Sequence, residues 1–452
     1  MKKFLLILSR IGEGLIVLLL LIALIGWIGD ITAGPGLRKY QKEYLSMIED
    51  FQKTGFKKEQ VFKKKKEGNG WDKYSKAIEE IEKLNKEERD VFYKRGTKKL
   101  YSSEIFSIIN SHKTALGNLS DGAKYSSCII PYEYEKGYKM PLPNYSNWRI
   151  LAMLGTASGN MNLLQGRNRQ ATHDYLATLC YAEDVSGGGL LPIGRMIGGV
   201  CSGYALSGIQ TGLETDAFNK EDLIFLARGL CSLEKKWPTL NQAIRFDVMS
   251  CLLPEITSPF KLIRQSSEGN FLNPFFRWWI IRSISWKDFF SPKRALLGLC
   301  KTINEFSSII KESENKPWEE CKEEVESYQQ SGHNWLVRMF LPNTTNILGG
   351  NRERITLMRL EALAALIRYY KKTNGHFPEN LEDIDISEFP KLLIDPITYE
   401  GWHYKVFNSD SAVIYSPGID LVDNGGIKST RKESDIAIVF TSLCLSEYIK
   451  KE

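Results

Sequence analysis

Between Asn147 and about Tyr328 one helix-length segment follows another, and this run constrains the fold more than any other feature. "NWRILAMLGTASGNMNLLQGR", "RQATHDYLATLCYAEDV", "LPIGRMIGGVCSGYALSGIQTGL", "KEDLIFLARGLCSLEKKW" and "TLNQAIRFDVMSCLLPEI" are joined by short Gly, Pro or Asn turns. Segments of this length with such short links predict antiparallel helical hairpins. Ala152, Gly155, Ala157 and Gly159 are small positions that suit close helix contact. No fixed period of the tetratricopeptide kind is present. The expectation is a mainly α protein with an irregular helical-hairpin, solenoid-like body over 146–342. Within it, 271–290 interleaves aromatic residues with Arg277, Arg282 and Lys287, as in an aromatic core or a helix at a membrane interface.

The N-terminus adds a second constraint. Ile11 to Ile28 is apolar except for Glu13, and Lys2, Lys3 and Arg10 precede it. About 18 apolar residues suffice for a membrane span, and the leading cations favour a cytoplasmic N-terminus. The expectation is a signal anchor: a transmembrane helix within 1–36, touching the membrane through 11–29. The bulk would then be extracytoplasmic, in a single-pass inner-membrane protein. A cleaved signal peptide ending near "ITAG" fits less well, because its apolar region would be too long.

Residues 37–145 are lysine-rich and read as helical; Trp71, Tyr74, Ile78, Ile81 and Leu84 recur at helical spacing. "MPLPNY" marks a boundary after them. A formal charge of +6 over 452 residues falls short of a nucleic-acid footprint, and no nucleic-acid partner is expected. Six of the eight cysteines form similarly spaced sequential pairs (180/201, 231/251, 300/321), compatible with bridged hairpins or with buried thiols.

After Asn343 the pattern changes. A long amphipathic helix ends at "NG" and is followed by a turn and a short helix after Pro378. "DPITYEGWHYKVF", "SAVIYSPG" and "DIAIVF" then read as short strands, with "NSD" as a hairpin turn. A long helix on a small antiparallel sheet is an α+β unit, assigned to 343–452. The succession "YYKKTNGHFPENLEDI", "DP", "YSPGIDLVDNGG" and a final "DI" resembles the C-terminal domain of type II secretion major pseudopilins. It is more similar still to the pseudopilin-like module of large membrane-anchored bacterial proteins of planctomycete type. "PLPNYSNWRILAMLG" and "NGWDKYSKAIE" are also similar to stretches of those proteins. The specific match covers about 90 residues. Glu13 lies early in the apolar segment as in pseudopilins, but the prepilin-peptidase signature is missing, so filament packing is not implied.

The resemblance implies a calcium ion in the loop after the second strand. Asp420 matches the aspartate following that strand, Asp435 the one opening the last strand, and Asp423 falls in the variable part between them. Oxygen ligands suit Ca²⁺; the residues alone read as an Asx-rich turn with Gly425 and Gly426 at positive φ. No other cofactor and no catalytic residue are expected. Gly199-x-Cys201-x-Gly203 has the spacing of a nucleophile elbow but sits in a helical pattern, and the five histidines lie singly. The function expected from these residues is a binding or scaffold protein of the bacterial envelope, with envelope protein partners and an association with a secretion or pilus-like system. The alternatives are an envelope hydrolase with a dispersed site and an accessory subunit of a larger membrane complex.

Overall fold

The computed structural model describes residues 2–57, 61–62, 66–95, 101–134, 136, 140–249, 291–330, 344–426, 435–443, 445 and 447. The aromatic segment 271–290 and Cys251 lie outside them. Helix α1 (Lys2–Thr54) is followed by β1 (Phe56–Lys57), β2 (Lys66–Asn69), α2 (Trp71–Glu82), α3 (Lys86–Arg95), α4 (Ser103–Ser111), α5 (Lys113–Gly122) and β3 (Tyr125–Cys128). The central helices are α6 (Tyr145–Leu164), α7 (Asn168–Gly187), α8 (Pro192–Glu214), α9 (Lys220–Lys236) and α10 (Asn241–Met249). Then come α11 (Pro292–Ser313), α12 (Trp318–Gln330), α13 (Thr344–Asn374) and strands β4 (His403–Asn408), β5 (Ser411–Ser416) and β6 (Ile436–Phe440).

The mainly helical expectation holds, but the expected anchor requires a correction. Among the described residues no helix is long and apolar enough to cross a membrane. The transmembrane helix at 11–29, and the single-pass inner-membrane placement built on it, are therefore withdrawn. The apolar run does not end at "ITAGPG"; it is the leading part of a 53-residue helix that continues through Pro35. Ala33, Leu37, Tyr44 and Ile48 recur at helical spacing and bury the second half of that helix in the body. Two glycines let α11 lie against it, since a Cβ at Gly36 would stand 2.8 Å from Leu297 Cδ1 and one at Gly29 2.5 Å from Ser291 Oγ. Asp30 Oδ1 accepts hydrogen bonds from the Lys293 amide (2.8 Å) and the Ser291 hydroxyl (3.1 Å), capping α11. Packing thus carries the helix past a proline that removes one donor. Ahead of this contact Leu21, Ile25 and Ile28 are exposed.

A small sheet in the order β1-β3-β2 departs from the helical reading of 37–145. Strands of two to four residues carry too little alternation to show in sequence. Asn69 holds the sheet to the next segment: its side chain both donates to Ile129 O and accepts from Ile129 N.

Small residues assemble the central helices as their positions predict. Gly155 lies against Thr178, and Gly159 and Gly208 both lie against the buried ring of Tyr175, whose hydroxyl donates to Asn160 Oδ1 at 2.7 Å. Helix α6 packs on both α7 and α8, and α13 packs on α8 and α9. The result is a bundle closed by α13, not an open stack in which each hairpin meets only its neighbour.

The C-terminal unit follows its sequence pattern. Helix α13 stops at Gly375 with φ +84°, and β4-β5-β6 form an antiparallel sheet. Asn380 and Asp383 close a capping box on the short 3₁₀ turn after Pro378. Arg368 of α13 is buried and donates to the carbonyls of Leu213 (2.7 Å), Glu214 (2.6 Å) and Thr441 (3.3 Å), with Phe440 under its guanidinium. This one side chain joins the last turn of α8 to the end of β6.

Candidate anion-binding pocket

The aspartate loop after β5 is built from backbone caps. Asp420 Oδ1 accepts from the Val422 amide (3.2 Å), and Asp423 Oδ1 from the Gly425 amide (2.8 Å). Asp435 accepts from the amides of Asn424 (3.1 Å) and Gly426 (2.7 Å). The caps by Asp420 and Asp423 are Asx turns, whereas Asp435 accepts from amides eleven and nine residues earlier in the chain. The Gly425 amide is also the main reason the Asp423 carboxyl lies below its ordinary value. Gly426, at φ +77°, must be glycine twice over, since a Cβ would also stand 2.9 Å from both Tyr415 and Val413. Ca²⁺ takes about six to eight oxygens. Here Asp435 gives both oxygens to amides, the second oxygen of Asp423 faces His403 at 3.7 Å, and Asp420 Oδ2 alone is left over. Among the described residues no three of His, Cys, Asp or Glu converge on a metal position. Among the described residues, the three aspartates thus serve chiefly as caps on backbone amides.

Cys201 is fully buried inside α8 with its thiol pushed up to about 12 by burial. A thiol so disposed is inert. Cys231, Cys300 and Cys321 are free thiols as well. The glycines around Cys201 serve packing: Gly198 meets the Ala182 carbonyl, and a Cβ at Gly199 would stand 2.6 Å from Arg354 Nη1.

That last contact leads to the site. A pocket of about 460 Å³ opens between the start of α8, the α9–α10 connection and the first turns of α13. Arg195 enters it from α8 and Arg354 from α13; Asn346 and Asn351 are its carboxamides. Its frame is fixed by two bonds. Trp237 Nε1 donates to Asn351 Oδ1 at 2.7 Å, and the Leu240 amide donates to Glu314 Oε1 at 3.2 Å. Because the Trp237 N–H can only donate, the oxygen end of Asn351 is committed to it, and the NH₂ end is what Asn351 offers the pocket.

The two arginines differ from the structural arginines beside them. Arg352 donates to four backbone carbonyls and Arg368 to three. By contrast, among the described residues Arg195 has one hydrogen bond, to Ser186 O, and Arg354 one, to Gly350 O (3.2 Å). A guanidinium carries five N–H donors. Arg195 Nε is buried with no partner, and neither side chain forms an ion pair among the described residues. Burial lowers both guanidinium pKa values to about 10; Glu314 near Arg195 and Glu353 near Arg354 act the other way. Both are cationic at neutral pH, and two confined guanidiniums are suited to pair with an oxyanion.

Comparison with protein-family models, curated proteins and solved structures finds no match. The pocket is therefore read from its own chemistry. Sequence reasoning did not find it, because Arg195 and Arg354 sit in unrelated segments, "LPIGRMI" and "NRERIT", and line one pocket only when α13 closes on α8. The available signal was the paired glycine at 198 and 199, which marks a place where something lies flat on α8.

Proposed function

We propose that this chain is a binding and scaffold protein that holds an anionic group in the pocket between α8 and α13. The observation that carries the reading is the contrast among its arginines: among the described residues Arg352 and Arg368 donate to four and three carbonyls, while Arg195 and Arg354 share a pocket and donate to one each. Guanidinium and carboxamide donors bind and orient an acid through charge-assisted hydrogen bonds. The surrounding bundle, tied to the C-terminal unit through Arg368, supplies a rigid support for such a pocket. The likeness of that unit to pseudopilins directs the search for protein partners toward secretion or pilus-like assemblies. Titration calorimetry with inorganic phosphate and acetate tests the reading. Binding is expected in the wild type and not in an Arg195→Met/Arg354→Met variant that keeps its fold. Equal heats from the two proteins would refute it.

A further inference from the structure

We propose that the pocket selects amphipathic organic anions, with an oxyanion head held by Arg195 and Arg354 and an apolar body laid along Ile347, Leu240 and Met196. The inference rests on the anion-binding reading above and adds the shape and polarity of the ligand. Ile347, Asn351 and Arg354 all line the pocket from α13. Their spacing of four and three residues puts them on one face of the helix, spanning about 10 Å at 1.5 Å per residue. Along that line the wall passes from a branched aliphatic chain, through a carboxamide, to a guanidinium. The opposite wall repeats the pairing, with Arg195 beside Met196 on α8 and the apolar Pro238 and Leu240 on the connection. A ligand that only offered charge would leave the apolar half of the wall wet. One with a hydrocarbon body covers both halves.

Two further observations fit. Met196 is 52% exposed although it lies at the pocket, so the core does not account for it; a thioether there is an adaptable contact for an alkyl or aryl group. A volume of about 460 Å³ is that of a small-molecule site, within the usual ~300–1,000 Å³. Carboxylate and phosphate share the head chemistry that two guanidiniums read, so the class is defined by the oxyanion and its apolar body together.

The test is calorimetry on the full chain at neutral pH with octanoate, octyl phosphate, acetate, inorganic phosphate and octanol. The alkyl anions should bind about fifty- to two-hundredfold more tightly than acetate or inorganic phosphate, as burial of three or four methylenes implies. Met196→Ser, a change at an exposed position, should weaken the alkyl anions several-fold and leave inorganic phosphate unchanged. Arg354→Met should weaken both. A tenfold preference for one head, with the alkyl gain kept, supports the inference and names the source as carboxylate or phosphate. If inorganic phosphate binds as tightly as octyl phosphate, the amphipathic inference falls and the anion pocket stands. If octanol binds as tightly as octanoate, or no anion binds, both fall.

Discussion

Replacing Gly199 with alanine adds one methyl group where the Arg354 guanidinium lies on α8. The new Cβ would stand 2.6, 2.8 and 2.9 Å from Nη1, Cζ and Nη2. Non-bonded carbon contacts settle near ~3.5–4.0 Å, so the guanidinium must move by about 1 Å. It is the far end of a flexible side chain with one hydrogen bond holding it, so it yields before the helix does. A hydrogen bond between charged partners contributes about 1.5–3 kcal/mol, and about 1.4 kcal/mol is a factor of ten. Gly199→Ala should therefore weaken anion binding by about ten- to a hundredfold. Global stability should hardly change, because alanine gains up to about 1 kcal/mol of helix propensity over glycine and offsets the repacking. Gly203→Ala is the control: it lies on the same helix with nothing within 4 Å, and should stabilise without touching affinity. Calorimetry beside a thermal melt reads both quantities. Unchanged affinity in Gly199→Ala would remove Arg354 from the site. A protein that unfolds would show that α8, not the side chain, gives way.

Three other contacts give outcomes of the same kind. His173 is held neutral, its pKa pushed down to about 4, first by burial and then by Lys124 and Arg169. The contribution is present above the unfolded value of 6.5 and is lost as pH falls from there through about 4, by at most about 3 kcal/mol before solvent screening. His173→Phe, which keeps the ring contact with Phe62, should flatten that acid limb in denaturant melts; an unaltered limb would assign it to other groups. Arg368→Met should destabilise by about 3–5 kcal/mol, because the carbonyls of Leu213, Glu214 and Thr441 each lose a charged donor, and a loss under 1 kcal/mol would contradict the joint described for it. Adding a chelator should leave the melting temperature unchanged, since amides already cap Asp420, Asp423 and Asp435; a fall on chelation would restore calcium.

What could be read in the sequence was whatever local chemistry decides. The glycine stop of α13, the Asn408 turn between β4 and β5, and the small faces of α6 each depend on residues close in the chain, and each is found where its pattern places it. The apolar N-terminus misled because hydropathy over one window is blind to the residues beyond it. Only the contacts of Ala33, Leu37, Tyr44 and Ile48 show that the helix runs on into the body. The loop aspartates were legible as a pair of alternatives, metal or cap, and the Gly425 and Gly426 amides show the capping role. The pocket was not legible at all. An arginine with one carbonyl partner and one with four look alike in a sequence, and the difference is made by a closure between distant segments.

The central claim is that Arg195 and Arg354 hold one anion between them. Anomalous diffraction from crystals grown with bromo-octanoate tests it most directly. The account expects carboxylate density in contact with both guanidiniums and a bromine peak on the side of Ile347 and Leu240. A bromine peak elsewhere on the molecule, or a pocket closed by the protein's own side chains, would contradict it.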